Sequence, residues 1–401
     1  MRPIYLSLVA ITIYSCTKIE KKENHTNAVE VTDAVAAKYQ NPFGVLINKS
    51  NNTNLSTNDQ VALVHDLGVQ YVRLSTESGN WYDSAGHAKF LNVYNSFTTS
   101  NPPVQVLLNI SWKSEASGPA PYPGATKEYK EFVNSILDTL TSGRYLPPAL
   151  VVVENEENNP NFHSINTLKD ADNYVAQLKY VTDICKQKQI KVANGGFTTL
   201  GMNLLVWDYY KNVLNDSVKA SKFLSKMLPP GVTLDMTSKK AKTKIQIVKT
   251  LINSYALVDF DYFNFHWYEP VQALFWTDSS RPTTIDTNHI SPDVLAEVGR
   301  YLRVNSPIAG RTIISNEAGE VTNSPYIPEE ITCALQAFPI LSWYSGDGNF
   351  GDADRLYKSK ALHNAQHVSP FYTLRSSGLA FKTNIAGIIS DPYVYCVPLS
   401  R

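Results

Sequence analysis

The sequence predicts an α/β protein, a single (β/α)8 TIM barrel with extra helices in the connection between its fifth and sixth strands. Eight short runs rich in Val, Ile, Leu and aromatic residues alternate with longer stretches of helical periodicity. This alternation is typical of βα units and a parallel sheet. The runs are apolar on both faces, as expected for strands covered by helices. The length of 401 residues exceeds the roughly 250 that one such barrel needs.

The candidate strands are spaced so that a helix fits between most consecutive pairs. They lie at residues 43–48, 71–75, 104–109, 150–154, 190–194, 261–265, 312–315 and 340–343. Helical periodicity predicts helices at residues 59–67 and 129–140, and residues 352–364 and 371–380 can supply the closing helix.

The connection between the fifth and sixth runs is unusually long. It contains two helix-like stretches, residues 204–214 and 239–255, separated by Pro229-Pro230-Gly231. Connections of this length in a compact domain are usually functional or carry helices of their own. We therefore expect extra helices beside the mouth of the barrel.

The N-terminus resembles an export signal. Arg2 precedes a mostly apolar stretch, residues 5–14, that is too short for a permanent transmembrane helix. The stretch ends at Ser15-Cys16, which is similar to a bacterial lipobox, in which the Cys is lipidated. Residues 1–16 are therefore predicted to be a lipoprotein-type signal peptide with Cys16 as the lipidation site, and ordinary secretion is the alternative.

Two further segments complete the predicted organisation. Residues 17–37 are polar and charged, which favours a flexible tether. Residues 38–401 form the barrel domain. We expect a monomeric, exported protein that touches a membrane only through its lipid anchor. The expected location is the outer membrane or the cell surface, with the periplasm or the medium as alternatives.

Composition excludes some classes of partner and leaves others open. Lys plus Arg and Asp plus Glu both number 36, so nothing in the charge balance favours nucleic acid or an anionic membrane surface. Aromatic residues make up 11% of the chain, which fits either a large core or stacking on sugar rings. No phosphate-binding loop, nucleophile elbow or His-Glu-x-x-His motif occurs, and we expect neither a metal nor a cofactor.

The remaining cysteines give no metal-binding pattern. Cys185, Cys333 and Cys396 are odd in number and have no ligand-like spacing. They are interpreted as small buried apolar residues. One disulfide is possible in an exported protein, but the sequence does not select its pair.

Chemically useful side chains follow the predicted strands, at the end where a TIM barrel places its active site. Run four leads into Asn155-Glu156 and run seven into Asn316-Glu317. Strands four and seven face each other across the mouth, so these two carboxylates can act on one bond from two sides. Cleavage of a glycosidic bond needs one carboxylic acid and one carboxylate in this arrangement, and a separation of about 5 Å gives retention of configuration.

Other strands add polar and aromatic side chains at the same end. Run two contains Arg73, run three ends in Asn109 and is followed by Trp112, and run six is followed by His266 and Tyr268.

This set of motifs resembles glycoside hydrolase clan A, especially members near families 39 and 5. The resemblance covers roughly residues 41–395. It implies a retaining glycosidase in which Glu156 is the acid/base and Glu317 is the nucleophile. It also implies that Asn155 contacts the sugar 2-hydroxyl and that Arg73 contacts the nucleophile. The sequence departs from the clan at Asn316, where Thr or Ser is frequent.

The resemblance gives roles to the remaining candidates. Tyr268 would donate to the nucleophile, and His266, Asn109 and Trp112 would line the substrate site. Trp343, at the end of the eighth run, is the preferred sugar platform, whereas Trp81, Trp267 and Trp276 fit either a core or a stacking role.

Each candidate also has a plainer interpretation. The glutamates could be strand-end acids paired with cations, Asn155 a turn residue, and His266 and Tyr268 ordinary mouth residues. The acidic neighbours Glu154, Glu157 and Glu320 leave both catalytic assignments open by one to three residues.

Three functions are carried forward. The first is a retaining glycoside hydrolase acting on a β-linked or equivalent equatorial bond of a polysaccharide or oligosaccharide. The second is a barrel lipoprotein that binds glycan without cleaving it. The third is a structural lipoprotein, for which the strand-end residues would not meet in one place. The sequence does not specify the sugar, the linkage or endo versus exo action.

Overall fold

The structure is a computed structural model that describes residues 41–46, 56–112, 119–160, 162–228, 233–269, 271, 292–320, 339–344 and 376–390. Several predictions fall outside these residues. They are the signal peptide with Cys16, the tether at residues 17–37, Trp276, the helix at residues 352–364, and Cys333 and Cys396. Among the described residues, no helix is both long and apolar enough to cross a bilayer.

Eight parallel strands close into a barrel in sequence order, as predicted. Each observed strand begins within one residue of the start predicted for it. The strands are β1 Phe43–Leu46, β2 Tyr71–Glu77, β3 Gln105–Ser111, β4 Leu150–Val153, β5 Lys191–Asn194, β6 Tyr262–Glu269, β7 Thr312–Glu320 and β8 Leu341–Trp343.

The strands that carry most of the predicted site are longer than their apolar runs. β2 continues to Glu77, β6 to Glu269 and β7 to Glu320. Their polar ends still pair with neighbours: β6 and β7 remain in register from His266↔Glu317 to Glu269↔Glu320. A register shift between Asn264 and His266 precedes this segment. The polar ends of these strands therefore form the mouth of the barrel.

Helices cover the outside of the barrel. They are α1 Thr57–Leu67, α2 Ser78–Tyr82, α3 Ser84–Thr98, α4 Lys127–Leu140, α5 Leu168–Gln187, α6 Thr199–Asp208, α7 Ser217–Met227, α8 Lys239–Tyr255, α9 Pro292–Arg300 and α10 Ser376–Ser390. Two π-helical turns, Tyr209–Val213 and Tyr301–Asn305, extend α6 and α9. The connection between β5 and β6 thus holds α6, a π-helical turn, α7 and α8.

Local sequence explains where individual helices begin and end. Ser56 and Asp59 form a capping box at the start of α1, and Gly68 ends that helix at a φ of 72°. Glycine adopts this left-handed conformation without the steric cost that other residues have. The side chain of Thr126 accepts a hydrogen bond from the backbone N–H of Tyr129 at the start of α4.

The core has two layers. Between strands and helices, α4 buries residues spaced three and four apart, including Tyr129, Phe132, Val133, Ile136 and Leu140. Inside the barrel, a smaller apolar cluster fills the end opposite the mouth; it comprises Tyr71, Leu107, Leu150, Val152, Ala193, Ile314 and Ile340. Cys185 is a buried free thiol, and burial raises its pKa to about 12.

Candidate active site

The side chains predicted from the strand ends meet at the mouth of the barrel. Arg73 on β2, Asn109 on β3, His266 on β6 and Glu317 on β7 are all buried, and so is Glu156 after β4. Residues from five different elements therefore form one hydrogen-bonded cluster. The structural-lipoprotein interpretation predicted no such convergence.

Glu317 is surrounded by donors. Its Oε2 accepts from the Arg73 guanidinium, and its Oε1 accepts from the Tyr268 hydroxyl. The ring nitrogen Nδ1 of His266 lies 3.7 Å from Oε2. Burial by itself would raise the pKa of Glu317, but His266, Arg73 and Tyr268 together hold this pKa below its usual value. Glu317 is therefore an ionised carboxylate in a buried site.

Glu156 lies on a strained turn that directs it toward Glu317. Its φ is 46°, and that of Glu154 is 65°, a left-handed conformation that costs a non-glycine residue energy and is common at functional sites. His266 Nδ1 lies 3.0 Å from Glu156 Oε1, and the Asn159 amide donates to Oε2. One oxygen of Glu156 and one of Glu317 lie within 4.8 Å of each other.

His266 connects the two carboxylates. Its Nδ1 faces Glu156, while its Nε2 lies 2.9 Å from Asn316 Oδ1. Its ring fits only because residue 196 is glycine: an added Cβ at Gly196 would lie 2.1 Å from His266 Nε2. Burial tends to lower the pKa of His266, but Glu317 and Glu156 hold it above its usual value.

The acidic neighbours of Glu156 are bound elsewhere. The Glu154 carboxylate accepts from the backbone N–H of Trp112 and from Gln177 on α5, at 2.8 Å for the latter. The Glu157 carboxylate accepts from Tyr255 and Asn194, both at 2.6 Å.

Glu154 and Glu157 also differ from Glu317 in their proton affinity. Burial raises the pKa of each to about 7, although their hydrogen bonds work in the opposite direction. Among the three glutamates after β4, Glu156 alone belongs to the cluster that contains Glu317. The side chain of Glu320 lies outside the described part of the chain.

Asn155 also enters the cluster. Its Oδ1 accepts from Arg73 Nη2 at 2.6 Å, and Arg73 Nε donates to Asn109 Oδ1 at 3.1 Å. The Arg73 guanidinium thus holds Glu317, Asn155 and Asn109 in a fixed arrangement.

Two asparagines of the network were not among the predicted site residues. Asn264 precedes His266 by two residues on β6, and Asn316 precedes Glu317 on β7. The period of two along a strand places Asn264 on the same face as His266, which is the signal that could have identified it. Asn316 was visible as a departure from the clan pattern, but the register shift that turns it toward His266 has no sequence signal.

The tryptophans are placed differently from exposed sugar platforms. Trp343 is fully buried and packs on Phe381 of α10, with ring centroids 5.6 Å apart. Trp267 and Trp81 are also buried. Trp112 is half-buried, and its ring packs edge-on against Phe132 at 5.8 Å. The described residues show no exposed ring face for Trp343 and only a half-buried ring for Trp112. A sugar platform needs an exposed face, so both stacking roles stay predictions.

Glu156, His266 and Glu317 are close enough for their ligand atoms to surround a cation. However, both oxygens of Glu317 already accept hydrogen bonds, one of them from the positively charged Arg73. A cation would have to compete with this guanidinium, so we assign no metal to the cluster.

Solved structures with the same architecture include several glycoside hydrolases. A GH5-4 broad-specificity endoglucanase from Clostridium longisporum matches with a TM-score of 0.56 at 13% identity, over 87% of this chain and 97% of that chain. A family 39 enzyme from Bacteroides cellulosilyticus WH2 matches with a TM-score of 0.50 at 12% identity, over 88% of this chain and 64% of that chain. A family 39 β-xylosidase from Caulobacter crescentus gives a TM-score of 0.50 at 12% identity, covering 86% and 71%.

These structural matches, at 12–13% identity, establish the shared fold alone. The TIM barrel expected from the resemblance to clan A is thereby confirmed. This chain spans just under two thirds of the length of the Bacteroides enzyme. No family model and no curated protein sequence matches the chain.

Proposed function

We propose that this protein is a retaining glycoside hydrolase. The observation that carries the proposal is the pairing of two unlike carboxyl groups at the barrel mouth. Glu317 is held ionised by Arg73, His266 and Tyr268, and an oxygen of Glu156 lies within 4.8 Å of an oxygen of Glu317. Carboxyl groups about 5 Å apart leave no room for a water between them and the sugar, which favours direct attack and retention.

The reaction has two steps. Glu317 attacks the anomeric carbon and forms a glycosyl ester while Glu156 gives its proton to the departing oxygen. Glu156, now a carboxylate, takes a proton from a water that attacks the same carbon and releases Glu317. Arg73 and Tyr268 stabilise the negative charge on Glu317 and keep its carboxylate oriented. Both steps proceed with inversion, so the product retains the original configuration.

The substrate proposed is a β-linked or equivalent equatorial bond in a polysaccharide or oligosaccharide. The structural neighbours include an endoglucanase and a β-xylosidase by description. A glucan or xylan bond is therefore the first to test. Lipidation at Cys16 and export are part of the same proposal, since an anchored enzyme at the cell surface or in the periplasm would meet external glycan.

Two variants test the chemistry separately. Glu317→Gln removes the nucleophile and should abolish hydrolysis of every substrate in a panel of aryl β-glycosides and oligosaccharides. Glu156→Ala removes the acid, so it should spare cleavage of substrates with an activated dinitrophenolate leaving group, and added azide should accelerate turnover by forming a β-glycosyl azide. Proton NMR of the first product formed by the wild type should show the retained anomer.

Several results would overturn the proposal. Full activity of Glu317→Gln would remove the nucleophile assignment, and an inverted first product would remove the two-step mechanism. Binding of an oligosaccharide without any cleavage, measured by calorimetry with the wild type, would favour a glycan-binding barrel instead.

A further inference from the structure

A chain of asparagine side chains links Arg73 to the ring of His266. Asn109 lies next to Arg73, Asn316 lies next to Asn109, and His266 lies next to Asn316. All of these side chains are buried. The direction of each hydrogen bond along this chain can be worked out from groups that only donate or only accept.

The orientation of the Asn109 amide is fixed at both ends. Its Oδ1 faces Arg73 Nε at 3.1 Å, and a guanidinium nitrogen can only donate. Its Nδ2 faces the backbone carbonyl of Glu154 at 3.2 Å, which can only accept. The Asn316 atom that lies 3.1 Å from Asn109 Oδ1 must therefore be the donor Nδ2.

Asn264 fixes the other end of Asn316 independently. Its Oδ1 accepts from the backbone N–H of Asn316 at 2.9 Å, so its Nδ2 donates to Asn316 Oδ1 at 2.7 Å. Asn316 Oδ1 carries no hydrogen and lies 2.9 Å from His266 Nε2. The ring nitrogen Nε2 must therefore carry a hydrogen.

This tautomer determines what lies between His266 and Glu156. With Nε2 protonated, a neutral ring presents a lone pair at Nδ1. That lone pair would repel an ionised carboxylate oxygen at the observed 3.0 Å. A proton between Nδ1 and Glu156 Oε1 removes the repulsion. It resides either on Glu156 facing a neutral ring or on an imidazolium facing a carboxylate. The opposite tautomer, with Nδ1 protonated, would satisfy Glu156 without this additional proton.

We propose that Asn316, oriented by Asn109 and Asn264, is a positioning residue that locks His266 in the Nε2–H tautomer and thereby keeps one proton in the Glu156–His266 pair. In the proposed glycosidase, on which this role of the proton rests, that proton is the one delivered to the leaving oxygen. When Glu156 gives it up, the pair becomes a carboxylate facing a lone pair. The pair regains a proton from the attacking water in the second step, so the proton balance closes over one turnover.

The charged groups around His266 agree with this assignment. Glu156 and Glu317 face Nδ1 at 3.0 and 3.7 Å, and the buried Glu157 binds Tyr255 and Asn194 instead. Arg73 acts in the opposite direction, yet the pKa of His266 is held above its usual value. Gly196 leaves the space that the ring occupies.

Nitrogen NMR tests the tautomer without any assay of activity. The chain is labelled with ¹⁵N-histidine, and the His266 signals are identified among those of eight histidines by their loss in His266→Gln. We expect Nε2 to carry its hydrogen at every pH at which the protein is folded, whether the shared proton resides on Nδ1 or on Glu156 Oε1. A neutral ring protonated at Nδ1 in the wild type would overturn the proposal, whether or not the protein hydrolyses glycans.

Two variants test the role of Asn316. Asn316→Leu removes the acceptor, so His266 should populate the Nδ1–H tautomer and Glu156 should lose its proton at lower pH. The alkaline limb of kcat/KM should then move down by about one pH unit, and kcat should fall about tenfold with a smaller change in KM. Asn316→Asp keeps an acceptor for Nε2–H but loses the donor to Asn109 and adds a negative charge, so His266 should keep the Nε2–H tautomer and the limb should not fall below the wild-type position.

Asn173→Asp on α5, a partly buried amide bonded to the backbone of Tyr122, is the matched control and should leave both readouts unchanged. A limb that stays in place in Asn316→Leu, with a wild-type NMR spectrum, would overturn the role of Asn316. If Asn316→Leu does not fold, the wild-type spectrum and Asn316→Asp still decide the tautomer.

Discussion

The ends of β4 and β7 carry buried glutamates whose pKa values are shifted in opposite directions. At β7, Glu317 has a guanidinium, a phenol and an imidazole around it, and its pKa is lowered. Beyond β4, Glu154 and Glu157 are bonded to uncharged donors, and burial raises the pKa of each to about 7. Burial is common to both places, so the partners decide the direction of the pKa shift. Neutral hydrogen bonds do not offset the loss of hydration, whereas a buried cation does.

Glu156 occupies a third position, in contact with His266. It belongs to the β4 end by sequence, but the left-handed turn separates it from Glu154 and Glu157 and places it beside His266. His266 therefore connects the β4 end, where burial raises the pKa of two glutamates, to the β7 end, where the pKa of Glu317 is lowered. A retaining glycosidase requires one carboxyl group that holds a proton and one that is ionised. The proposed function assigns these roles to Glu156 and Glu317.

The largest effect on the difference between the β4 and β7 ends is expected from a change at Arg73. Arg73→Met should reduce kcat/KM about a thousandfold, because Glu317 loses the cation that keeps it ionised. It should also lower the free energy of unfolding by about 3–5 kcal/mol, since a buried carboxylate is left without its partner. Urea unfolding and steady-state kinetics measure the two effects.

The control for Arg73 is Arg311→Met. Arg311 is half-buried immediately before β7 and donates to the backbone carbonyl of Val258 at 2.9 Å. This variant should lose stability but keep kcat. An Arg73 variant that behaves in the same way would show that Arg73 is structural only.

At the β4 end, Glu157→Gln tests the raised pKa of this glutamate. A pKa raised from 4.5 to about 7 means that the folded chain holds this proton when the unfolded chain has released it. The contribution of Glu157 to stability should therefore be lost as pH rises from about 4.5 to 7, and Gln should remove this contribution while that of Glu154 remains. Between pH 5 and pH 8, the difference in unfolding free energy should move by up to about 3 kcal/mol in favour of the variant.

Glu131→Gln is the control for this pH series. Glu131 is exposed on α4, with 61% of its side chain accessible, and its replacement should give parallel stability curves. A Glu157→Gln curve parallel to that of the wild type would contradict a raised pKa at Glu157.

A change at Gly196 tests the role of His266, the side chain that connects the two ends. In Gly196→Ala the new Cβ would lie 2.1 Å from His266 Nε2, at a φ of +112°. We expect a loss of about 2 kcal/mol of stability and a displaced imidazole, with a fall in kcat. Gly68→Ala is matched to it, since Gly68 also has a positive φ but nothing within 4 Å of the added atom. Equal effects of both changes on kcat would contradict a specific role for the space beside His266.

The smallest effect is expected at Tyr268. Tyr268→Phe removes one of the donors to Glu317 and leaves Arg73 in place, so kcat/KM should fall about tenfold. Tyr94→Phe, which loses a hydroxyl hydrogen bond of 2.6 Å to the backbone of Leu146 far from the mouth, should retain its kcat/KM. A Tyr268 variant with unchanged kcat/KM would mean that Arg73 alone is sufficient.

Much of the barrel was visible in local sequence. All eight strands coincide with predicted apolar runs, and α8 has the bounds expected from its helical periodicity. The helix α7 was missed because Ser217–Met227 is short and largely polar, and its apolar residues pack on neighbours that the sequence does not place. The longer ends of β6 and β7 were missed for a related reason: their polar side chains face the mouth, where an apolar pattern stops.

The candidate site was predictable in its positions. Side chains at the carboxyl ends of parallel strands must share one face of a barrel, so Arg73, Glu156, His266 and Glu317 could be grouped without knowing any contact. The fate of the tryptophans was not predictable in this way. The ring of Trp343 is buried against α10, and helix packing on the outside of a strand end leaves no period in the sequence.

The sequence by itself determined the order of the strands and the positions of the two carboxylates, because strand period and apolar character are local properties of the chain. The tertiary structure alone decided the direction of each glutamate's pKa shift and the hydrogen-bond partners of the His266 ring. Arg73 lies 244 residues from Glu317, and Asn109 lies 207 residues from Asn316. Charge state and tautomer depend on burial and on partners that only closure of the barrel brings together.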